Sequence, residues 1–314
     1  MGKCVRRRAE VEPVSGDQTD RGCVVVTGTS TGLGAATALH LAALGFHVLA
    51  GVRREEDGKA LQAQTPATLT PLIIDVTDGE TISAAAAAVT DVVGERGLAG
   101  LVNNAGIGKP APLELQPMAD FRTQLEVNLF GPVATIQAFL PLIRLGGGRI
   151  VNVGSIGGML VLPLNGAYSA SKFGLRAISD ALRLELRQWN IHVSLIEVAP
   201  VKTAIFGKTY AELDALEQTL GETGYRLYSQ QIAAIRKAVE KAEADAEPPS
   251  VIAKAVAHAL TSGKPKTRYL VGHGGRQTQA AAALPDRARD RALALELGLP
   301  KPEETTRITR EDTG

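Results

Sequence analysis

The chain has few aromatic side chains, two cysteines and almost no net charge. Each scarcity excludes something. Aromatics make up 4% of 314 residues, so small aliphatic groups must fill the core, as where helices lie close against a parallel sheet. Cys4 and Cys23 cannot build a disulfide framework, and a chain this long buries enough surface to fold without one. A formal net charge of +1 provides no global field for nucleic acid or a membrane surface, and no basic stripe with aromatic platforms interrupts the sequence. No apolar run reaches the roughly 18 residues that span a bilayer. Arg6, Arg7 and Arg8 are not followed by the apolar segment of a signal peptide. Met1-Gly2 would suit myristoylation, but the sixth position holds Arg6 rather than a hydroxyl. Residues 1–20 are predicted to form a disordered tail, and the protein is predicted to be cytoplasmic.

What is present is an alternation. Short β-branched runs at Cys23–Thr27, His47–Val52, Thr68–Ile74, Gly100–Val102, Arg149–Val153, His192–Val198 and Arg268–Val271 read as strands. Helical segments separate them, among them Gly34–Leu44, Gly79–Val93, Met118–Leu145 and Tyr168–Trp189. The pattern predicts an α/β fold with a parallel sheet. A catalytic domain is predicted over residues 21–275. Within it, residues 204–248 leave the pattern as a helical excursion suited to a substrate lid. Residues 276–314 form a C-terminal extension.

The turn after the first strand reads Thr27-Gly28-Thr29-Ser30-Thr31-Gly32-Leu33-Gly34. Glycines there let backbone approach a pyrophosphate, and the helix beyond them aims its free N–H groups at the anion. The end of the second strand indicates which dinucleotide. An acid holding a ribose 2′-hydroxyl is expected there for NAD; Val52 stands in its place, followed by Arg53 and Arg54. A guanidinium pairs with a 2′-phosphate, so Arg53 favours NADP(H), with NAD(H) as the alternative.

Tyr168 and Lys172 are four residues apart on a predicted helix and so share a face. Ser155 ends the preceding strand and Asn128 lies in the earlier long helix. Together with the glycine turn and Asn103-Asn104-Ala105-Gly106, these residues resemble the short-chain dehydrogenase/reductase family over roughly Cys23 to Thr203. The resemblance implies a Rossmann-type, doubly wound parallel sheet of about seven strands. It also implies a catalytic tetrad of Asn128, Ser155, Tyr168 and Lys172, with Asn128 anchoring a water that relays protons. Cofactor contacts are implied at Gly28, Thr29, Ser30, Gly32, Leu33, Gly34, Asp75, Val76, Asn104, Ala105, Gly106, Tyr168, Lys172, Val201 and Thr203, while Asn103 would tie strands together. Asp75 has a simpler reading as a helix cap. The sequence departs from the family where Val198 and Ala199 replace a usual Pro-Gly. Dimers or tetramers built on the long helices are the family habit, with Asn128–Leu145 and Tyr168–Trp189 as candidate interfaces.

The chemistry fits the residue types. Hydride transfer to a carbonyl builds charge on oxygen, which needs an acid nearby. Tyrosine has an ordinary pKa near 10. An ammonium at ~4 Å contributes about 4 kcal/mol at an effective dielectric of 20, which would lower that pKa by roughly three units. Met159, Leu160, Val161, Leu162 and Leu164 offer an apolar wall, which favours an apolar alcohol or carbonyl as substrate. The Val48–Arg53 and Lys266–Tyr269 stretches resemble the retinol and hydroxysteroid dehydrogenase branch. A 3-oxoacyl-thioester reductase, or a non-catalytic NADP(H) sensor, are the competing readings.

Overall fold

In the computed structural model, residues 21–65 and 68–301 are described. The tail at 1–20 and the last thirteen residues of the extension lie outside them. Seven parallel strands form one sheet: β1 (Cys23–Val26), β2 (His47–Val52), β3 (Leu69–Ile73), β4 (Leu98–Asn103), β5 (Arg149–Val153), β6 (Val193–Val198) and β7 (Arg268–Val271). Their spatial order is β3-β2-β1-β4-β5-β6-β7. The order reverses between β1 and β4, so the crevice beyond the carboxyl ends of those strands is the expected ligand site. All seven strands sit where the β-branched runs do.

Helices cover both faces. On one face α1 (Gly32–Ala43) and α9 (Ser250–Thr261) bury Ala38, Leu41, Ile252 and Val256 against Val24, Val26 and Ile196. On the other, α3 (Gly79–Val93) and α5 (Gly131–Gly146) bury Ile82, Val89, Ile136 and Phe139 against Val25 and Leu101. Close approach replaces aromatic bulk here. A Cβ on Gly34 would lie 2.1 Å from the Gly28 carbonyl oxygen, so the third glycine of the turn is needed for α1 to meet β1.

The long helical run from Met118 is not uniform. It comprises α4 (Met118–Leu125), a π-helical segment (Glu126–Phe130) and α5. Pro132 has no N–H to give to the carbonyl of Asn128 four residues back, which accounts for the wider turn. By length and composition alone the continuous stretch Met118–Gly146 could cross a membrane, but its Ile136, Phe139 and Ile143 are fully enclosed in the sheet core. An unpredicted helix, α2 (Glu55–Gln62), follows Arg54. Glu55, Glu56 and Asp57 occupy its first turn, where carboxylates favour a helix start.

The excursion after β6 is a helical hairpin, α7 (Ile205–Thr219) and α8 (Gly221–Ala244). Gly221 turns it with φ +65°. Tyr210 donates to Glu243 at 2.8 Å, and Arg236 pairs with Asp214 and Glu217, so the helices run antiparallel. The hairpin has its own apolar core, where Leu213, Leu216, Ile232 and Ile235 meet Ala111 and Leu164. The described part of the extension holds α10 (Gly275–Ala282) and α11 (Asp286–Leu297). Packed on β6 and against α4 and the π-helical segment, α6 (Gly166–Glu185) carries the residues that matter most for the site.

Candidate active site

The glycine turn forms a cradle at the switch point. Gly28 and Gly32 take φ values of +68° and +61°, which favour glycine. Thr31 gives α1 no side-chain cap, and no acid occupies its first turn. The first N–H groups of α1 are therefore free for an anion. Thr203 packs opposite Gly32, with its Cβ 3.6 Å from where a side chain at that glycine would start. These features fit a dinucleotide pyrophosphate. Ser30 is exposed and Leu33 partly so. Thr29 points inward instead: its backbone N–H and its hydroxyl both donate to the Gly51 carbonyl. Its side chain ties the turn to β2.

The two arginines after β2 have different settings. Arg54 is bound by both carboxylate oxygens of Asp57, at 2.9 and 3.0 Å. Arg53 is exposed and makes no ion pair with the described residues. Of the two, Arg53 is the one available to a phosphate. Asp75 accepts from the Thr77 N–H and hydroxyl; the cap of α3 is Asp78, which accepts from the N–H groups of Glu80 and Thr81. Val76 is buried against Gly131. Asn104 donates to the Thr27 and Gly28 carbonyls, and the N–H groups of Asn104 and Ala105 both donate to the Thr27 hydroxyl. Asn103 joins β4 to β5 through Asn152 at 2.9 Å. Val201 is buried and bridges to Glu247, while Ala199 donates to the Val271 carbonyl. This anchors the backbone where the sequence departs from the family.

Asn128 is fully buried in the π-helical segment. Its side-chain oxygen accepts from the Ile107 N–H at 2.8 Å, and its Nδ2 donates to the Ile107 carbonyl at 2.8 Å and to Ser171 Oγ at 3.1 Å. Ser171 Oγ in turn donates to the Tyr168 carbonyl at 2.6 Å. Gly106 lies between Asn128 and Lys172, and a Cβ there would meet Lys172 Nζ at 3.6 Å. Ser155 accepts from the Gly157 N–H at 3.0 Å, and its hydroxyl favours ionisation of the neighbouring Tyr168 phenol. Lys172 Nζ donates to the Val153 carbonyl at 3.1 Å and lies 5.8 Å from the Tyr168 ring centroid. The four tetrad residues thus converge at the carboxyl end of the sheet, beside the cradle. Sequence reading overlooked Ser171, the part of the Thr27 hydroxyl in holding Asn104 and Ala105, and the pair Arg176–Glu197, which meets at 3.3 Å and holds α6 to β6. Arg176 shares the face of Tyr168 and Lys172 at the same four-residue spacing, the one signal that could have found it.

The electrostatics correct one expectation. Burial pushes the Tyr168 phenol up from its ordinary value, and the Ser155 hydroxyl only partly opposes this. Lys172, its own ammonium lowered by burial to about 8, does not bring the phenol below its ordinary value. Lys172 has lost its proton before the phenol would ionise. At neutral pH the pair is a protonated phenol beside an ammonium.

Residues 22–214 match the short chain dehydrogenase family. The chain is 35% identical to an NADPH-dependent 3-dehydrocapnine reductase from Ornithobacterium rhinotracheale, over 87% of this chain and 96% of the relative. It is 37% identical to retinol dehydrogenase 16 from Homo sapiens, over 79% and 80% of the two chains. A solved short-chain dehydrogenase from Streptomyces avermitilis superposes with a TM-score of 0.70 at 29% identity, covering 88% of this chain and 96% of that one. The chain belongs to the short chain dehydrogenase family. It is an oxidoreductase acting on CH–OH groups and their carbonyl counterparts, near the retinol dehydrogenase branch.

Lys172 carries its charge below about pH 8 and loses it above, while the phenol ionises higher. Carbonyl reduction is therefore expected to hold level below about pH 8 and fall as pH rises through that value. Arginine keeps its charge at every accessible pH, so the residual activity of Lys172→Arg is expected to lack that limb. A limb that stays near 8 in the variant assigns it to another group.

Proposed function

We propose that the protein reduces an apolar ketone or aldehyde with NADPH, and oxidises the corresponding alcohol in reverse, with Tyr168 as the proton donor and acceptor. The observation that carries this reading is geometric: Ser155, Tyr168 and Lys172 meet at the end of β5, with Lys172 bonded to the Val153 carbonyl and Asn128 linked to Tyr168 through Ser171, near a glycine turn whose helix has no side-chain cap. The bound nicotinamide supplies the hydride. Ser155 and Tyr168 hold the substrate oxygen, and the Tyr168 O–H gives up its proton as charge builds there. Lys172 stabilises the resulting phenolate. Asn128 spends its side chain on Ile107 and Ser171, so a water relay at this residue would use its backbone carbonyl, to which Pro132 offers no N–H. Arg53 selects the 2′-phosphate, and the relative named for NADPH-dependent reduction supports that choice. Val161, which is exposed, and Leu162, partly so, follow Ser155 closely and favour a lipid-like substrate. A composition with only two cysteines suits a reducing, cytoplasmic setting.

The exposed face of α6 supports self-association as well. Ala170, Phe173, Ala177, Ala181 and Leu184 recur at helical spacing along it, an apolar stripe open to solvent. We propose that two copies pair through this stripe.

Absorbance of reduced nicotinamide tests the activity, with NADPH and NADH across apolar ketones, aldehydes and acyl-thioesters. Turnover of ketones with NADPH is expected. Arg53→Ala should weaken NADPH roughly ten- to a hundredfold, the worth of a charged hydrogen bond or two, and leave NADH unchanged. Equal losses for both would remove Arg53 from the phosphate site; turnover of thioesters alone would overturn the substrate class. Light scattering tests the pairing. A dimer or tetramer is expected for the parent and a smaller species for Leu184→Glu, whose position is 75% exposed and therefore tolerates charge. A monomeric parent contradicts it.

A further inference from the structure

The hairpin of α7 and α8 is fastened in three places. At its base, Val201 bridges to Glu247 and the Lys202 N–H donates to the Glu247 carbonyl at 2.7 Å. Toward its tip, the Tyr228 hydroxyl on α8 hydrogen-bonds Glu114, and Leu115 lies against Gly224. Between them is the apolar core of the hairpin, separate from the two cores that flank the sheet. Four of its six buried members, Leu213, Leu216, Ile232 and Ile235, come from the hairpin. The body contributes Ala111, Leu164 and, at the margin, Leu162.

Leu164 is the unusual member. Its φ is +64°, a left-handed conformation that the Cβ of a leucine disfavours. It is nevertheless 7% exposed, and its carbonyl accepts from the Ala111 N–H at 2.8 Å. A strained residue persists only when its surroundings over-determine it. Here the surroundings are the Ala111 hydrogen bond on one side and the hairpin core on the other. The next few residues make the strain consequential. Asn165 donates to the Leu162 carbonyl at 3.3 Å and accepts from the Ser169 N–H at 2.8 Å, and α6 starts at Gly166. Tyr168 is in its first turn. Any shift of Leu164 passes directly into the backbone that carries the phenol.

We infer that Leu164 is a positioning residue that couples the seating of the α7–α8 hairpin to the placement of Tyr168, and so governs how well a bulky apolar substrate is held. The substrate half of this inference rests on the reading above; the coupling half does not. A seated hairpin fills the Leu164 pocket and fixes the start of α6. A lifted hairpin removes the contacts that hold Leu164 left-handed, and the first turn of α6 relaxes with it.

Hydrogen exchange on the full chain without substrate tests the coupling. In Leu164→Ala, amides of α7, α8 and the first turn of α6 are expected to exchange roughly tenfold faster or more, given the cost of emptying a core leucine site. The strands should keep the parent's protection. Leu164→Met should restore it. Leu164→Gly separates strain from seating, because glycine accepts φ +64° freely yet fills nothing. It should behave like the alanine variant; protection equal to the parent would overturn the inference. Should Leu164→Ala fail to fold, Ile232→Ala empties the same core from the hairpin side. Faster exchange in the first turn of α6, far away in sequence, is the expected result, and exchange confined to the hairpin would refute the coupling. In turnover, Leu164→Ala should raise KM for a bulky ketone several-fold more than KM for NADPH, where a general loss of structure would move both. A parent that reduces no ketone, yet shows the exchange pattern, would sink the proposed substrate and leave the coupling intact.

Discussion

One buried amide ties the catalytic region together. Asn128 holds both the N–H and the carbonyl of Ile107, on the loop leaving β4, and through Ser171 it holds the carbonyl of Tyr168 on α6. The loop that borders the cofactor cleft and the helix that carries the phenol are thereby fixed to a third element, the π-helical segment. Polar groups enclosed this fully must be satisfied, and an unpaired one costs about 1–3 kcal/mol. The bracket therefore gives a single geometry. Pro132 has a structural part in it, since its missing N–H favours the wider turn that carries Asn128 inward.

A second polar chain does for the sheet what Asn128 does for the site. Asn103 Nδ2 donates to Asn152, Asn152 Nδ2 donates to Ser179 Oγ, and Thr135 Oγ1 donates to Asn103. All four residues are buried. They link β4 and β5 to the helices α5 and α6 on one face. With so few aromatics, uniqueness of packing comes from such directional bonds and from glycines that let backbones touch, rather than from large rings.

The strands were legible because buried parallel strands are short β-branched runs, and the convergence of Asn128, Ser155, Tyr168 and Lys172 because those residue types stand at a characteristic spacing. What was not legible has physical reasons. The π-helical segment is a departure of one residue per turn, invisible to apolar periodicity. The helix after Arg54 is only eight residues long and buries only Gly58 and Leu61, too few positions to establish a period in the sequence. Thr29 sits in the cofactor turn by sequence, yet which way a β-branched side chain faces depends on a partner, the Gly51 carbonyl, that only tertiary structure supplies. The direction of the Tyr168 shift was misjudged for a related reason. Coulomb's law between Tyr168 and Lys172 can be written from their spacing, but the burial that lowers the ammonium first cannot. The left-handed Leu164 gave no sign at all.

Proton donation by Tyr168 is the claim on which the functional account stands, and removal of its hydroxyl isolates that claim from cofactor binding. In Tyr168→Phe, quenching of NADPH fluorescence should give the parent's affinity to within a few-fold, while single-turnover reduction of a ketone falls by about a hundredfold or more, the usual worth of a positioned general acid. Single-turnover reduction at the parent's rate, with NADPH bound, would contradict the account.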